Sequence, residues 1–302
     1  MLNFLYCFDN NYNFQGFTSI ISLLDSVDEK INISIIHSNE LLNSAIPELI
    51  TKHKYLNSLS IYKFNDTDYD FPNLKDKHVS MATYYRLFIE NYITDDIPII
   101  IYLDADTICL NNPINELKNQ INILNNSEFT ISAKTEVSYD ENNLLFSRLN
   151  ITNNYFNAGV LIINLQRWKS QSLSKNLINQ MIDLSSKINF WDQDVLNSFF
   201  NGRYVELSNN LNYNSIDNIG NHESINIIHY IGSKKPWYLS GIFENSSDFY
   251  HSNYYKLSKK RYHIIHLWKL SSITDLIISV ITLKIFKLQK PISFLKCFFT
   301  SF

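Results

Sequence analysis

Two aspartates stand directly after the most hydrophobic strand that the sequence predicts. Residues 97–103 form a continuous apolar run, typical of a strand buried on both faces, and Asp104 and Asp106 follow at once. In extended backbone, side chains two residues apart point the same way. Two converging carboxylates offer hard oxygen ligands to Mg²⁺ or Mn²⁺, and such an ion would bind a diphosphate. The alternative is a solvated turn, because aspartates at this spacing are common.

Three further segments carry side chains suited to a ligand site, and each has a structural alternative. Residues 157–159 (Asn-Ala-Gly) open a predicted strand, where small residues admit a ligand to the backbone but are equally typical of a β-bulge. Residues 192–194 (Asp-Gln-Asp) open a predicted helix, where acids often serve only as caps. His229 ends a short predicted strand and is suited to complete a metal site or to remain structural, while Lys235 can bind phosphate.

Strands and helices alternate along the chain and predict the elements that position these residues. The predicted strands are 2–8, 31–37, 59–64, 97–103, 129–133, 156–165 and 225–230, and the predicted helices are 14–24, 45–54, 79–92, 166–185 and 192–201. Residues 207–221 are rich in Asn and are predicted to be a loop. The alternation predicts an α/β fold with a doubly wound, mixed but mostly parallel sheet, whose ligand binds at the carboxyl ends of the strands.

Several kinds of protein are disfavoured. The chain has no G-x-G-x-x-G or Walker loop, no G-x-S-x-G and no H-E-x-x-H, which argues against dinucleotide enzymes, P-loop NTPases, α/β-hydrolases and zinc proteases. The three cysteines, Cys7, Cys109 and Cys297, are isolated, so a zinc site and a disulfide framework are disfavoured and a reducing compartment is expected.

Charge divides the chain into an acidic body and a basic tail. Residues 256–302 carry 9 Lys and Arg against Asp275 alone, a net +8, whereas residues 1–255 carry 17 against 28 acids, a net −11. An acidic body repels phosphate backbones, so no nucleic-acid partner is expected. The uncharged run 276–283 has 8 residues and a membrane span needs about 20.

We therefore predict a catalytic domain over 1–255 and a basic, aromatic tail over 256–302 that binds an anionic membrane surface. The alternative for the tail is a C-terminal helix packed on the domain. The N-terminus has no basic segment typical of a signal peptide, so a cytoplasmic, peripheral membrane location is expected.

Six motifs together resemble glycosyltransferase family 8, in the order found there. They are residues 9–12, 83–87, 102–106, 156–165, 192–194 and 229–237. Over roughly residues 1–240 the chain is similar to bacterial lipopolysaccharide and lipooligosaccharide galactosyltransferases and glucosyltransferases, and more distantly to glycogenin. The resemblance implies a GT-A type nucleotide-sugar binding fold and a Mn²⁺-dependent enzyme (Mg²⁺ being the alternative ion). It also implies retaining transfer from UDP-galactose or UDP-glucose to a hydroxyl of a glycolipid or oligosaccharide acceptor, forming an α-linkage.

The resemblance also implies roles for single residues. Asp104, Asp106 and His229 would bind the metal. Gln193 would face the anomeric carbon and, with Asp192 and Asp104, form the catalytic set. The donor-binding residues would be Asp9, Asn11, Tyr12 (stacked on uracil), Arg86, Asp104, Ala105, Asp106, Asn157, Ala158, Asp192, Gln193, His229, Gly232 and Lys235.

One position departs from the family. After the strand 129–133 relatives commonly place an acid near the acceptor, whereas this chain has Lys134, which suggests a different, more anionic acceptor. His78 and the loop 207–221 are further candidate acceptor contacts. A nucleotide-sugar hydrolase, a transferase for another glycan or a protein, and a membrane-associated binding protein without activity remain alternatives. The intact Asp104 and Asp106 argue against the last.

Overall fold

The strands form two sheets. The computed structural model describes residues 1–39, 45–66, 68–72, 80–94, 96–217 and 222–301. Within these residues the strands are β1 (Asn3–Phe8), β2 (Ile31–His37), β3 (Leu56–Lys63), β4 (Ile99–Leu103), β5 (Thr107–Cys109), β6 (Ile131–Val137), β7 (Tyr155–Asn164), β8 (Val205–Glu206), β9 (Tyr213–Asn214) and β10 (Ile227–His229).

The α-helices flank the sheets and continue into the tail. They are α1 (Asn13–Ser26), α2 (Glu48–Thr51), α3 (Ile89–Tyr92), α4 (Ile114–Asn125), α5 (Leu144–Leu149), α6 (Leu165–Ser170), α7 (Leu173–Asp183), α8 (Trp191–Phe200), α9 (Leu239–Ile242), α10 (Ser247–Ser258), α11 (Lys269–Ile281) and α12 (Pro291–Thr300). Short 3₁₀ helices occupy Asn10–Tyr12, Met81–Phe88, Asn209–Leu211, His222–Ser224 and Lys284–Lys287.

The large sheet has seven strands in the order β3-β2-β1-β4-β7-β6-β8. The pairs β3–β2, β2–β1, β1–β4 and β6–β8 are parallel, and only β7 runs antiparallel to both of its neighbours. The predicted doubly wound, mixed but mostly parallel sheet is therefore confirmed. Because β7 runs against β4, its first residues lie beside the last residues of β4, and the Asp104 amide donates to the Gly159 carbonyl at 2.8 Å.

Strand β1 shows why the sheet is covered on both faces. Leu5 and Cys7 pack in the core on one face, whereas Phe4, Tyr6 and Phe8 pack in the core on the other. Apolar residues at every position of a strand are typical of a sheet with helices on both sides.

The small sheet has the order β5-β10-β9 and brings the second half of the chain to the end of β4. Strand β5 pairs antiparallel with β10, with Thr107 opposite His229, and the Tyr230 amide donates to the Asp106 carbonyl at 3.0 Å. His229 is thereby fixed beside the two aspartates.

The secondary structure differs from the sequence prediction in several places. The predicted helix 79–92 is a 3₁₀ helix, Met81–Phe88, followed by the single turn α3. The predicted helix 166–185 is broken into α6 and α7, because Ser172 between them adopts left-handed backbone (φ 49°). The predicted helix 45–54 shortens to α2, which begins after Pro47. Strand β5 and helices α4 and α10 were not predicted.

The tail is partly packed and partly exposed. The predicted boundary at residue 255 falls inside α10, and His263 beyond it stacks on Tyr254 at 4.6 Å. Phe294 and Phe298 of α12 are buried against α9 and its surroundings. Large apolar side chains of the tail remain exposed to solvent, namely Trp268, Leu270, Ile281, Leu283, Phe286, Ile292 and Phe299. Among the described residues, no helix has the length and apolar character needed to cross a bilayer.

Candidate active site

The two aspartates that follow β4 each commit one carboxylate oxygen to a neighbour. Asp104 Oδ1 accepts from the Tyr102 hydroxyl at 2.6 Å and lies 3.3 Å from the Arg86 guanidinium. Asp106 Oδ2 lies 2.5 Å from Lys235 Nζ. Burial alone would raise the pKa of Asp106, but Lys235 and His229 hold that pKa well below its usual range. Asp106 is therefore a buried carboxylate that stays ionised.

The remaining oxygens face His229. Its Nε2 lies 3.2 Å from Asp106 Oδ1 and 3.8 Å from Asp104 Oδ2, and one ligand atom from each of the three residues lies within 4.8 Å of the others. Asp106 Oδ1 is buried and has no hydrogen-bond partner in the part of the chain that the structure describes. Two carboxylates and an imidazole suit Mn²⁺, and Mg²⁺ less well because it prefers oxygen ligands. The donor set and the orphaned oxygen thus fit a divalent cation.

Gly159 makes room for the imidazole. A Cβ at this position would lie 2.0 Å from His229 Cε1, closer than any real contact. His229 is 4% exposed and rests directly on the Gly159 backbone. The β-bulge alternative holds as well, because the register between β6 and β7 shifts at this segment: Ser132 pairs with Ile162, whereas Lys134 pairs with Asn157.

Arg86 lies under the site between two carboxylates. Its Nε is 2.5 Å from Asp192 Oδ2, it contacts Asp104, and Nη1 donates to the Ala158 carbonyl. Burial alone would lower the pKa of Arg86, but Asp104 and Asp192 raise it above its ordinary value. Burial raises the pKa of Asp192 to about 7, and the negative charge of Asp104 adds to this rise while the Arg86 guanidinium opposes it.

The two acids in the first turn of α8, Asp192 and Asp194, have different roles. Asp194 is fully buried and fastens the helix start, since Oδ2 accepts from the backbone amides of Asn189 at 2.7 Å and Phe190 at 2.9 Å. The capping interpretation therefore holds for Asp194. Asp192 instead points to Arg86.

Gln193 is held by hydrogen bonds at both ends of its amide. Oε1 accepts from the Ala158 backbone amide at 2.9 Å. Nε2 donates to Glu136 Oε2 at 3.0 Å and to the Tyr155 hydroxyl at 3.2 Å. These three partners fix which way the carboxamide faces.

All these groups meet at one cavity of about 700 Å³. Its walls include the aspartates after β4, the entrance of β7, the first turn of α8 and the segment after β10. At its other end lie Tyr12 and Ser80, and the Ser80 hydroxyl donates to Asp9 at 2.6 Å. Gly232, with φ 69°, contributes a turn of left-handed backbone to the wall.

The sequence matches the description Glycosyl transferase family 8 over residues 3–240. The chain belongs to glycosyltransferase family 8. It is 32% identical over 185 residues to a lipopolysaccharide 1,3-galactosyltransferase of Salmonella typhimurium, covering 57% of this chain and 54% of that protein. It is 25% identical over 273 residues to a lipopolysaccharide 1,2-glucosyltransferase of Escherichia coli, covering 85% and 77%. This glycosyltransferase thus spans about half the length of the Salmonella relative.

Solved structures agree on the fold. The galactosyltransferase LgtC, solved in complex with donor and acceptor sugar analogs, is similar with a TM-score of 0.71 and 20% identity, covering 85% of this chain and 96% of that one. The glycosyltransferase GlyE of Streptococcus pneumoniae is similar with a TM-score of 0.63 and 19% identity, covering 94% and 64%. The predicted family and fold are confirmed.

The cavity of this family 8 glycosyltransferase gathers most of the residues that the resemblance implied. Those that line it are Tyr12, Arg86, Asp104, Ala105, Asp106, Asn157, Asp192, Gln193, His229, Gly232 and Lys235. Asp9, Asn11 and Ala158 are not among the lining residues. Asp9 accepts from the Asn11 amide at 2.9 Å and orients the turn before Tyr12, while Ala158 bonds Gln193 and Arg86 through its backbone.

Glu136 also lines the cavity, although the sequence pattern predicted no role for it. Lys134 is not among the lining residues, and its ammonium donates to the Asn212 carbonyl at 3.1 Å. A register shift between Thr135 and Val137 separates the surroundings of Glu136 from those of Lys134, so simple alternation along the strand did not find Glu136. The available signal was the acid expected after the strand 129–133, which was sought at Lys134, two residues before Glu136.

Only some of the other candidate acceptor contacts lie in the described part of the chain. His78 lies outside the described residues, as do residues 218–221 of the loop. Of the rest of that loop, Ile216 lines the cavity and Asn212 is buried beneath it. Cys7, Thr83, Tyr155 and Tyr238 also line the cavity and were not predicted, because nothing in their local sequence marks them.

Proposed function

We propose that this glycosyltransferase moves galactose or glucose from a UDP-sugar to a hydroxyl of a lipopolysaccharide or lipooligosaccharide glycan, with retention of the α-configuration. The observation that carries the proposal is the cluster of Asp104, Asp106 and His229 in the cavity lining, where the buried Asp106 Oδ1 faces His229 Nε2 at 3.2 Å without a hydrogen bond. The names of the Salmonella and Escherichia relatives support a bacterial cell-surface glycan as the acceptor.

The proposed metal ligands are those three residues. A bound Mn²⁺ would stabilise the negative charge of the leaving diphosphate. Lys235 stands next to this charge, 2.5 Å from Asp106, and is suited to hold a phosphate oxygen as a second cation. The left-handed turn at Gly232 lets the backbone approach the same diphosphate.

The proposed donor pocket runs from Tyr12 to Asp192. Tyr12 would stack on the uracil, and Asp9 and Asn11 fix its turn. Asn157 and Asp192 would form hydrogen bonds with the hexose hydroxyls. The Arg86 guanidinium contacts Asp192 and Asp104 and holds both carboxylates in place.

The proposed chemistry follows from what faces the sugar. The anomeric carbon–oxygen bond breaks as UDP leaves, and the acceptor oxygen forms its bond on the same face. The acceptor proton passes to the leaving phosphate oxygen. A carboxamide is a poor nucleophile, and Gln193 is already bonded at both ends, which favours this route over a covalent intermediate. Trapping of a glycosyl-enzyme on Asp192 would contradict it.

Glu136 is the proposed acceptor-side carboxylate. Its Oε2 already accepts from Gln193 at 3.0 Å and from Asn157 at 3.3 Å, so an acceptor hydroxyl bound there would lie beside the reacting face of the donor. Since Lys134 is engaged by Asn212, the wall supports a neutral, hydroxyl-bearing acceptor sugar better than an anionic one.

The tail supports a peripheral location on the cytoplasmic face of the inner membrane. Exposed side chains such as Leu270, Phe286 and Phe299 stand among Lys284, Lys287, Lys290 and Lys296, an arrangement suited to an anionic lipid surface.

A UDP-release assay tests the proposal. Full-length enzyme, Mn²⁺ and a panel of UDP-hexoses are assayed with and without lactose-type and lipopolysaccharide-core acceptors. We expect acceptor-dependent release with one donor, and its loss in Asp104→Asn with the fold retained. Release that is equal with and without every acceptor would favour the nucleotide-sugar hydrolase, for which the same residues suffice.

A further inference from the structure

Asn212 contacts the imidazole of His229 from below. It follows the 3₁₀ helix Asn209–Leu211, and its side chain is 3% exposed. Its Oδ1 lies 3.1 Å from His229 Nδ1, and its Nδ2 donates to Asn157 Oδ1 at 3.0 Å. One buried carboxamide thus touches a proposed metal ligand and a proposed donor-sugar contact.

The backbone fixes the direction of this chain of hydrogen bonds. The Gly159 backbone amide can only donate, and it donates to Asn157 Oδ1 at 2.9 Å, so that atom is an acceptor. The Asn212 atom facing it must then be the Nδ2 donor. Consequently Asn212 presents Oδ1 to the ring, and His229 must donate from Nδ1.

We propose that Asn212 is a positioning residue that holds His229 in the Nδ1–H tautomer, aims its Nε2 lone pair at the metal site, and couples that site to Asn157 in the donor pocket. This inference rests on the proposed metal site and adds to it the group that orients one ligand. Histidine ligands are commonly oriented by a hydrogen bond to the other ring nitrogen, and loss of such partners lowers metal affinity roughly 10- to 100-fold.

Two substitutions separate the two hydrogen bonds of Asn212. Asn212→Leu keeps the branched shape of the side chain and removes both hydrogen bonds. Asn212→Asp keeps an acceptor for the His229 Nδ1–H but sets a carboxylate oxygen against Asn157 Oδ1, and Lys134 beside its carbonyl offsets the new charge. Asn164→Leu is the matched control. This buried asparagine at the far end of β7 also bonds through both ends of its amide, to the Arg167 amide at 3.0 Å and Asn125 at 3.3 Å.

The first measurement is Mn²⁺ affinity, by electron paramagnetic resonance of the free ion with the full-length protein, beside circular dichroism melting. We expect Asn212→Leu to bind Mn²⁺ roughly 10- to 100-fold more weakly. Asn212→Asp should bind within about threefold of wild type but raise the KM for the UDP-sugar roughly tenfold. Asn164→Leu should lose thermal stability and keep wild-type Mn²⁺ affinity. If Asn212→Leu fails to fold, Asn212→Asp still separates metal affinity from KM.

The second measurement needs no metal. Long-range ¹H–¹⁵N histidine spectra, with His229 assigned by subtraction against His229→Gln, should show a proton on Nδ1 in wild type, whether or not Nε2, 3.2 Å from Asp106 Oδ1, also carries one. An Nε2–H tautomer there overturns the proposal, as does a folded Asn212→Leu with wild-type Mn²⁺ affinity while the metal site itself stands. Wild-type protein that binds no Mn²⁺ refutes the proposed metal site and the coupling together.

Discussion

Gly159→Ala is the substitution whose effect follows most directly from the geometry. The added Cβ would lie 2.0 Å from His229 Cε1, 2.5 Å from Nδ1 and 2.6 Å from Nε2. Carbon atoms in contact lie about 3.5–4.0 Å apart, so the ring must retreat by about 1.5 Å. Metal ligands tolerate about 0.2 Å, so this displacement removes His229 from the proposed ligand set. It also pulls Nδ1 away from Asn212, now 3.1 Å distant.

We expect Gly159→Ala to fold with a loss of about 1–3 kcal/mol, as for other overpacked cores. Mn²⁺ affinity should fall roughly 10- to 100-fold, as for loss of a ligand's support. Calorimetric Mn²⁺ titration and the UDP-release assay measure both. Gly202→Ala is the control, because its Cβ would meet Asn153 at 2.5 Å in left-handed backbone (φ 80°), and neither residue lines the cavity. Wild-type Mn²⁺ affinity in a folded Gly159→Ala protein would refute the reasoning.

Three further predictions concern the acceptor, the pH dependence and the tail. Glu136→Gln should lower kcat/KM for the acceptor roughly tenfold, since a neutral amide accepts hydrogen bonds less strongly, while donor hydrolysis in water stays within about twofold; equal acceptor kinetics would contradict it. The pKa of Asp192 is about 7 in the folded state and about 3.9 in the unfolded state. Between these pH values the folded state binds a proton that the unfolded state has lost, so the stability of the metal-free protein should fall as the pH rises from about 4 to 7. Asp192→Asn should flatten that fall in melting curves, and parallel curves would show that another group titrates. Phe286→Ser with Phe299→Ser, both exposed, should reduce sedimentation with phosphatidylglycerol vesicles without changing melting, whereas Phe294→Ser, fully buried, should lower the melting temperature; unchanged sedimentation would count against the membrane proposal.

The sequence predicted the carboxylates better than their surroundings. An apolar run followed by Asp104 and Asp106 is a local pattern, and β4 ends where the pattern says. The placement of His229 came only from the family resemblance, because strand β5, which pairs with β10, is three residues long and has no periodicity to detect. Long-range pairing of this kind leaves no local signal.

The roles of Asn212 and Glu136 in the site were not predicted, for different physical reasons. Asn212 stands in a segment rich in Asn, and composition gives no sign that its amide is buried. Glu136 lies at a register shift between Thr135 and Val137, and a shift of register changes which side chains face the cavity. Lys134, for which an acceptor contact was predicted instead, donates to the backbone carbonyl of Asn212, and no local sequence pattern predicts this long-range contact.

The antiparallel direction of β7 explains why this site uses small residues and backbone groups. In an all-parallel sheet, the exit of β4 would have the exit of another strand beside it, and a loop would lead away from each. Here the exit of β4 meets the entrance of β7, so Asp104 bonds directly to Gly159 through the backbone. Little space is left between them, and His229 fits only because residue 159 has no side chain. The same crowding puts Asn157 within reach of both Asn212 and Glu136. The proposed metal, donor and acceptor positions therefore share one short stretch of β7, and a change at any of its first residues should disturb more than one of them.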